Sequence, residues 1–388
     1  MDLIKLISSD LSLTFWIIVG LLFVLFVFQL FYYIFILKKP YSYEYKRNMN
    51  VPNDSDFPSV SVVIVSKNES DNLANNLPSI LDQDYPDFEV IVVNMGSTDE
   101  TDMLLEGLSL KYSNLYHTFV PSEAENINEK KLALTLGIKA AKNDILLFTE
   151  AYCQPVSNKW IQEYAQQFNN GYEIVLGFNR VEINKKFPMR RFIKFDNLIH
   201  HVKFLSLAIL KKPFMGLNRN LAYKRSVFFD VKGFSSVLSF EDGEDDLFIN
   251  RIAKGRKVGV VLSTESITKT EIVTNYSIWR NLKSKYLYSK RFYNGFSSKF
   301  FAFESFTKYL FYIASLLCII YGVYFQNFSL VFISSMLFIV RFIIVLDTIN
   351  KLNKIFDVNK IHINLILYEL FQPLSNYKIR RRIKKRKR

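Results

Sequence analysis

The sequence has few of the residues that cross-link small folds or interrupt regular structure. It contains two cysteines, Cys153 and Cys318, among 388 residues. Two cysteines cannot make a disulfide framework, which excludes the disulfide-rich class of small domains. The four histidines lack metal-ligand spacing, and glycine and proline are scarce beside a hydrophobic content of 49%. This composition excludes a disordered chain and predicts one large or two ordinary folded domains.

The positive charge is concentrated at one end of the chain. The formal net charge is +14, and nine of the last eleven residues, 378–388, are lysine or arginine. Without that segment the chain is only mildly basic. The distribution indicates a basic tail and argues against a basic body that grips nucleic acid, so we expect no nucleic-acid partner.

Three long apolar runs predict membrane helices. Residues 15–37 carry no charge and are too long for the core of a signal peptide, which indicates a retained signal anchor. Residues 309–325 and 328–346 are predicted to form a transmembrane hairpin, in which Arg341 is placed to snorkel. We therefore divide the chain into an N-terminal segment at 1–14, a transmembrane signal anchor at 15–37, a linker at 38–57, a cytoplasmic domain with an interfacial segment at 58–304, transmembrane helices at 309–325 and 328–346, and a basic cytoplasmic tail at 347–388.

Lysine and arginine flank the predicted spans unevenly. Lys5 precedes the first span, whereas Lys38, Lys39, Lys46 and Arg47 follow it. Because positive residues favour the cytoplasmic side, the amino terminus is predicted to be external, and the middle region and tail cytoplasmic. This multi-pass topology fits a bacterial inner membrane. The tail is expected to bind anionic membrane lipids, with a solvated tail as the alternative.

The middle region alternates predicted strands with predicted helices. Short β-branched runs, typical of buried parallel strands, occur at 59–66, 88–94, 144–150 and 172–181. Helices are predicted at 71–83, 98–112 and 130–142. In the first of these helices Leu73, Leu77 and Ile80 share one face, and Thr98 is the expected N-cap of the second. Strand alternating with helix predicts an α/β sheet with right-handed crossovers.

Polar side chains stand where the predicted strands end. Glu69 follows the first strand, Asn94 and Asp99 follow the second, and Glu150 ends the strand before "AYCQP". In doubly wound sheets, ligands bind beyond the carboxyl ends of the strands. Each residue alone is more often a polar turn or a helix cap, but three such loops at one sheet edge favour a ligand site.

Several stretches resemble family-2 glycosyltransferases, which have the GT-A nucleotide-binding fold. They are "VSVVIVSKNESDNL", "DFEVIVVNMGSTDET", "KKLALTLGIKAAKNDILLFTEAYCQPVSNKW", "GLNRNLAYKRSVFFDVKGF" and "GEDDLFINR". The resemblance covers residues 58 to about 295 and implies an α/β, GT-A (Rossmann-like) nucleotide-sugar domain with transmembrane helices before and after it. It implies a nucleotide-sugar donor, bound by Glu69, Asn94, Asp99, Lys130, Lys131 and Glu150.

The resemblance also implies the catalytic groups. "GEDDLFINR" matches the segment whose acid deprotonates the acceptor hydroxyl, a role that falls to Asp245, with Glu244 beside it. A base in that position suits a one-step displacement at the anomeric carbon with inversion. The implied acceptor-binding or donor-closing residues are Arg219, Asn220, Lys283 and Lys285.

Three features depart from the family's pattern. "FTEAYC" stands where the family has "FTDADC", whose two carboxylates hold a divalent cation, Mg²⁺ or Mn²⁺. Glu150 keeps one metal-binding carboxylate, but Tyr152 is a neutral phenol and a poor ligand. Met95 replaces an acidic residue, and the segment at 279–293 lacks both the family's closing motif and the QxxRW pattern of processive synthases.

Two functions are consistent with these residues. The first is a membrane-bound inverting glycosyltransferase of the hexosyltransferase class, which moves a single sugar to a lipid-linked or envelope-glycan acceptor. It would use Glu150 and lysines in place of a full metal site. The second is a catalytically degenerate scaffold with a protein partner. Retention of Glu69, Lys130, Lys131 and the acids at 244–245 favours the first, and donor binding without turnover would favour the second.

Overall fold

The N-terminal helix continues beyond the predicted span. The computed structural model describes residues 13–49, 57–121 and 128–386. Helix α1 (Leu13–Phe31) passes through a π-helical turn (Tyr32–Leu37) into α2 (Lys39–Met49). The first part of the predicted linker at 38–57 is therefore helical. Pro40 lies in the first turn of α2, where proline is tolerated, and Lys46 and Arg47 lie in its last turn, where they complement the helix dipole.

A seven-stranded mixed sheet forms the centre of the domain. Its strand order is β3-β2-β1-β4-β8-β6-β9. The first four strands in this order are parallel, β8 is antiparallel to both β4 and β6, and β9 is parallel to β6. All seven residues of β1 are buried, because helices cover both faces of the sheet. The strands are β1 (Val60–Ser66), β2 (Phe88–Asn94), β3 (Leu115–Phe119), β4 (Ile145–Glu150), β5 (Cys153–Pro155), β6 (Ile174–Leu176), β7 (Asn179–Ile183), β8 (Leu221–Lys224), β9 (Val258–Val260) and β10 (Thr268–Val273).

The predicted helices of the domain are present, with changed ends. The helices are α3 (Ser70–Leu81), α4 (Thr101–Lys111), α5 (Glu129–Ala140), α6 (Trp160–Asn169), α7 (Arg190–Ile209), α8 (Arg225–Asp230), α9 (Asp246–Ile252) and α10 (Tyr276–Ser289). Leu73, Leu77 and Ile80 are buried on one face of α3, as their spacing predicts. The prediction of Thr98 as N-cap is wrong, because the carboxylate of Asp99 accepts the hydrogen bonds from Thr101 at the start of α4.

The sequence predicts one strand at 172–181. The structure has two strands there instead, and they belong to different sheets. β6 belongs to the main sheet, and β7 belongs to a small sheet with the order β5-β10-β7. The chain changes sheet at Gly177, where a Cβ would lie 2.0 Å from the hydroxyl oxygen of Tyr164. Only glycine fits this close approach, and the break carries β7 over the carboxyl end of β4.

Two long helices follow the domain and pack beside α1. They are α11 (Ser297–Tyr324) and α12 (Phe328–Ile355), each longer than the predicted spans at 309–325 and 328–346. Among the residues that the structure describes, three helices are long and apolar enough to cross a membrane, at Phe15–Arg47, Ser297–Tyr324 and Phe328–Ile355. The prediction of membrane helices before and after the domain is confirmed to that extent.

The segment after the last span is not a free tail. Its helix α13 (Leu365–Arg386) carries Glu369, whose carboxylate lies 3.0 Å from the guanidinium of Arg341. Arg341 also donates to Tyr312 at 3.0 Å and to Gln29 at 3.1 Å, and only 1% of its surface is exposed. Arg341 therefore does not snorkel, because a buried carboxylate inside the bundle satisfies its charge.

Candidate functional site

The carboxyl ends of the parallel strands meet two later segments at one edge of the sheet. Glu150 is the last residue of β4, and Lys130 lies in the first turn of α5. Arg219 comes from a 3₁₀ turn before β8, and Glu244 and Asp245 directly precede α9. The fold thus brings together residues from four segments that are far apart in sequence, as expected of a site at the edge of an α/β sheet.

Lys130 bridges two carboxylates at the centre of this edge. Its Nζ lies 2.9 Å from Oε1 of Glu150 and 2.8 Å from Oε1 of Glu244. Both glutamates are more than nine-tenths buried, and about a quarter of the Lys130 side chain is exposed. Burial opposes ionisation of Glu244, but the charge of Lys130 and its hydrogen bond outweigh that and lower the pKa of Glu244 to about 2. Glu244 and Lys130 are therefore both charged at neutral pH.

Asp245 has a different electrostatic environment. Its carboxylate accepts hydrogen bonds from the backbone N–H groups of Asp246, at 2.6 Å, and of Asn218, at 3.3 Å. Burial, followed by the negative charge of Glu244, raises the pKa of Asp245 to about 6. Two neighbouring carboxyl groups with pKa values pushed apart are typical of acid–base sites. Asp245 is thus poised to gain and lose a proton near neutral pH, whereas Glu244 stays ionised.

Asp246 is buried behind this pair and accepts a hydrogen bond from the Tyr293 hydroxyl at 2.6 Å. Burial, followed by the charge of Asp245, raises the pKa of Asp246. Sequence reasoning does not find the role of Tyr293, because the two residues are 47 positions apart and no local pattern links them.

Tyr152, Arg219 and helix α10 enclose the remaining space. The cavity beside Lys130 has a volume of about 20 Å³ and is closed by Leu282, Lys285, Tyr286 and Ser289 of α10. The guanidinium of Arg219, a residue only 7% exposed, lines the cavity. Burial, then the charge of Glu150, raises the pKa of Tyr152 above its usual range, so its phenol is neutral. The edge therefore presents two cations, one proton acceptor and a neutral phenol.

The predicted nucleotide-binding residues at the ends of β1 and β2 are engaged within their own loops. Glu69 is the N-cap residue of α3, and its carboxylate accepts a hydrogen bond from Asn72. Asn94 donates to Asp102 and accepts from Ser97 at 2.6 Å.

The exposed carboxylate of Asp99 accepts from the backbone N–H of Ser70 at 3.0 Å and from Thr101. The Thr101 hydroxyl is the main reason that the pKa of Asp99 is lowered to about 2. Glu69, Asn94 and Asp99 therefore all lie at the edge of the sheet that is predicted to bind the nucleotide. Their hydrogen bonds also fix the shape of the loops at this edge.

Two further residues with predicted site roles, Lys131 and Asn220, form hydrogen bonds to backbone oxygens of neighbouring loops. Lys131 donates to the backbone oxygens of Phe240 and Asp242, so it anchors the loop before Glu244. The amide of Asn220 donates to the oxygens of Phe178, at 2.7 Å, and Ser266, at 2.9 Å. Each of these two residues stabilises the loops that position the site.

Lys283 does not line the cavity beside Lys130. It forms a buried ion pair with Asp196 of α7, and both side chains are at most 2% exposed. Lys285, on the same helix, does face the cavity. The difference follows from helix periodicity, because positions two apart on a helix point in different directions.

The implied divalent cation does not fit the side chains at this edge. Within residues 13–49, 57–121 and 128–386, no group of three or more His, Cys, Asp or Glu could hold a metal ion. The ammonium of Lys130 lies between Glu150 and Glu244 and forms an ion pair with each of them. Tyr152 adds a neutral phenol, whereas a hard cation prefers charged oxygens.

Residues 61–232 match the family model "Glycosyl transferase family 2". This segment is a family 2 glycosyltransferase domain with the GT-A fold. The match covers a little less than half of the chain, so it applies to the domain and not to the helices outside it. No curated protein sequence matches the chain.

Solved structures share the fold of this glycosyltransferase domain. The mannosyltransferase PcManGT from Pyrobaculum calidifontis, in complex with GDP-Man and Mn²⁺, is 16% identical with a TM-score of 0.52, over 85% of this chain and 99% of that chain. S. aureus TarS (TM-score 0.38, 16% identity, 65% of this chain and 42% of that chain) and its fragment 1–349 (TM-score 0.40, 16% identity, 84% and 91%) are also similar. At these identities the likeness to PcManGT supports the fold alone, and the lower scores of TarS carry no argument.

Proposed function

We propose that this protein is a membrane-bound inverting glycosyltransferase of the hexosyltransferase class. It would move a single sugar from a nucleotide-sugar donor to a lipid-linked or envelope-glycan acceptor. The observation that carries this proposal is the pair of unlike groups in one cavity: Asp245 as proton acceptor, and Lys130 with Arg219 as cations. A family 2 domain supplies the reaction class, and these side chains supply the groups that the reaction needs.

The reaction would proceed in one step. The acceptor hydroxyl oxygen bonds to the anomeric carbon while the bond from that carbon to the donor diphosphate breaks. Asp245 takes the hydroxyl proton, and the nucleoside diphosphate leaves with the electron pair. Lys130 and Arg219 stabilise the negative charge that grows on the diphosphate. Glu244 holds Lys130 in position, since its pKa of about 2 keeps it ionised.

The donor needs more space than this structure leaves. A cavity of about 20 Å³ has room for one or two water molecules, because one water needs about 10–15 Å³. Donor binding therefore requires the side chains of α10 to move aside and Lys130 to exchange a carboxylate for the diphosphate. Lys285, exposed on α10, is the residue of that helix best placed to contact a bound donor.

The contacts that the site residues make within the chain favour a second candidate function, a degenerate scaffold with a protein partner. The ion pairs of Lys130 are satisfied within the chain, and the hydrogen-bonding groups of Asn94 are used in its own loop. A protein that had lost donor binding would be expected to close its site in this way. The two candidates differ in whether the donor is bound and consumed.

The membrane arrangement is also proposed, and the positive-inside rule supports it. We place the glycosyltransferase domain and the segment after 347 on the cytoplasmic side, with the amino terminus outside. Anionic membrane lipids would contact the basic end of α13, and a bacterial inner membrane would provide them. The lipid or glycan acceptor would then reach the site from the membrane surface.

Release of nucleoside diphosphate tests the enzyme function. The full chain in detergent is incubated with GDP-mannose or UDP-sugars, with and without Mn²⁺, and free GDP or UDP is measured. We expect release by the wild type without Mn²⁺ and at least about a hundredfold loss in Asp245→Asn, with donor affinity retained. Asp230→Asn, which removes a carboxylate outside the cavity, serves as the matched control. Binding without release, or no binding, would support the scaffold instead.

A further inference from the structure

A second cavity lies on the other side of α10, between the glycosyltransferase domain and the membrane helices. Its volume is about 60 Å³, which is room for several water molecules or one tetrahedral phosphoryl group. Helices α7, α10, α11 and α13 each contribute side chains to it. Tyr286 lines both this cavity and the one beside Lys130, so the two are neighbours.

The lining has more positive than negative charge. Lys203, Lys283, Lys290 and Arg380 face the cavity, together with a single carboxylate, Asp196. That carboxylate is fully used, because it pairs with Lys283 and also accepts a hydrogen bond from Gln372 at 2.9 Å.

The other cations are weakly paired or unpaired. Lys203 is 3.8 Å from Glu304, at the limit of an ion pair. Among the residues that the structure describes, neither Lys290 nor Arg380 has a carboxylate partner. Burial, and then the charges of Arg380, Lys203 and Lys283, lower the pKa of Lys290 to about 7. Asp196 is the one carboxylate in the lining that faces these cations, so a bound anion would relieve part of their mutual repulsion.

Buried polar atoms at the cavity also lack partners. In the described part of the chain, the Tyr286 hydroxyl, Nε2 of His200 and Nε of Arg380 make no hydrogen bond. Tyr286 is 6% exposed, and its ring stacks on His200 at 4.0 Å, which fixes the orientation of both. An unsatisfied buried polar group costs about 1–3 kcal/mol, so these atoms favour a ligand that accepts or donates hydrogen bonds.

The position of the cavity indicates where its ligand comes from. Phe301, which lines it, belongs to α11, a candidate membrane span. On α13, Leu367, Leu374 and Tyr377 are more than half exposed, beside an apolar groove shared with the start of α7. An anion-binding cavity next to exposed apolar surface matches an amphipathic ligand with a charged head and a hydrocarbon tail.

We propose that this cavity binds the phosphoryl group of a phosphorylated membrane lipid, held by Lys290, Arg380 and the Tyr286 hydroxyl. Oxygens of a phosphate monoester accept hydrogen bonds from all three groups and neutralise the excess charge. This inference goes beyond the proposed function, because binding here requires no transfer of sugar. It differs from a general attraction between a basic tail and an anionic leaflet, since it assigns particular residues to the phosphate.

Binding of phosphatidic acid to the full chain tests the proposal. The purified protein is titrated in neutral detergent with phosphatidic acid, and quenching of tryptophan fluorescence gives the affinity. We expect Lys290→Gln and Arg380→Gln each to weaken binding about tenfold, since each removes one charge-assisted hydrogen bond. Arg381→Gln is the matched control, because it removes the same charge from the exposed face of the same helix. It reports the general electrostatic attraction alone.

The comparison between the two arginine variants decides the outcome. Equal losses for Arg380→Gln and Arg381→Gln would overturn the proposal in favour of general attraction. Competition by inorganic phosphate separates a lipid from a free ion, and we expect it to displace phosphatidic acid only weakly. Inorganic phosphate that binds as tightly as phosphatidic acid would overturn the assignment to a lipid. Because Lys290 and Arg380 lie in different segments of the chain, a folding defect in one of these two variants leaves the other informative.

Discussion

Lys130 holds the candidate site together, and its removal should destabilise the protein in a pH-dependent way. The pKa of Glu244 is lowered from 4.5 to about 2. A difference of this size corresponds to roughly 3 kcal/mol, at about 1.4 kcal/mol per unit. Breaking a buried ion pair by removing one partner costs about 3–5 kcal/mol, which is the same order. We therefore expect Lys130→Met to lower the free energy of unfolding by about 3 kcal/mol at pH 7.

The pH dependence identifies the charges as the cause. Because the folded-state pKa of Glu244 lies below its ordinary value, its contribution is present above about pH 4.5 and is lost as the pH falls towards 2. The stability difference between wild type and Lys130→Met should be largest at neutral pH and should shrink below pH 4.5. A loss caused by packing alone would stay constant across this range.

Thermal unfolding in detergent measures the difference. Trp160 and Trp279 are both at most 2% exposed, so intrinsic fluorescence reports unfolding of the domain. For a chain of this length, about 3 kcal/mol corresponds to a Tm shift of about 4 °C. Lys67→Met is the control, because Lys67 and Glu129 form an ion pair in which both side chains are more than 40% exposed. Such exposed pairs contribute about 1 kcal/mol or less. An unchanged Tm for Lys130→Met at pH 7, or an equal shift at pH 7 and at about pH 3, would refute the reasoning.

Two further predictions concern the chemistry of the site. We expect the Tyr152→Asp variant to bind Mn²⁺ poorly, because the Glu150 carboxylate stays in its ion pair with Lys130. The double variant with Lys130→Met should bind Mn²⁺ measurably in calorimetric titration. Equal Mn²⁺ affinity for the single and double variants would show that Lys130 does not block a cation. The rate of nucleoside diphosphate release should fall as the pH drops below about 6, since Asp245 is then protonated and cannot accept the hydroxyl proton. A rate that is constant between pH 5 and pH 7 would exclude Asp245 as the base.

The parallel half of the sheet could be predicted because its signals are local. β1 and β2 are short runs rich in buried β-branched residues, and β4 is a short, buried, mostly apolar run, so composition and length suffice to identify them. The polar residues after these strands follow from the rule that ligands lie at the carboxyl ends. Glu150 was found in this way, since it ends β4 and lies at the centre of the site.

What the sequence did not predict depends on contacts between distant residues. The periodicity of the sequence does not show that Lys130 forms an ion pair with Glu244, or that the Tyr293 hydroxyl donates a hydrogen bond to Asp246. The break at Gly177 follows from the position of Tyr164, which no local pattern includes. Secondary-structure propensity depends on residues that are neighbours in the sequence. The contacts named here depend instead on tertiary packing between distant residues.

Helix α13 is better understood as part of the folded body of the protein than as a tail. Gln372 on α13 and Lys283 on α10 share the carboxylate of Asp196, so α13 is tied to α10 through one buried group on α7. On the membrane side, Glu369 of α13 forms the buried pair with Arg341. One helix therefore connects the membrane bundle to α10, whose residues close the candidate active site. Removing α13 would leave the buried charge of Arg341 without its carboxylate partner, which costs several kcal/mol, and would remove the hydrogen bond from Gln372 to Asp196. A fragment that includes α10 but ends before α13 would thus lack the support that holds α10 against the site.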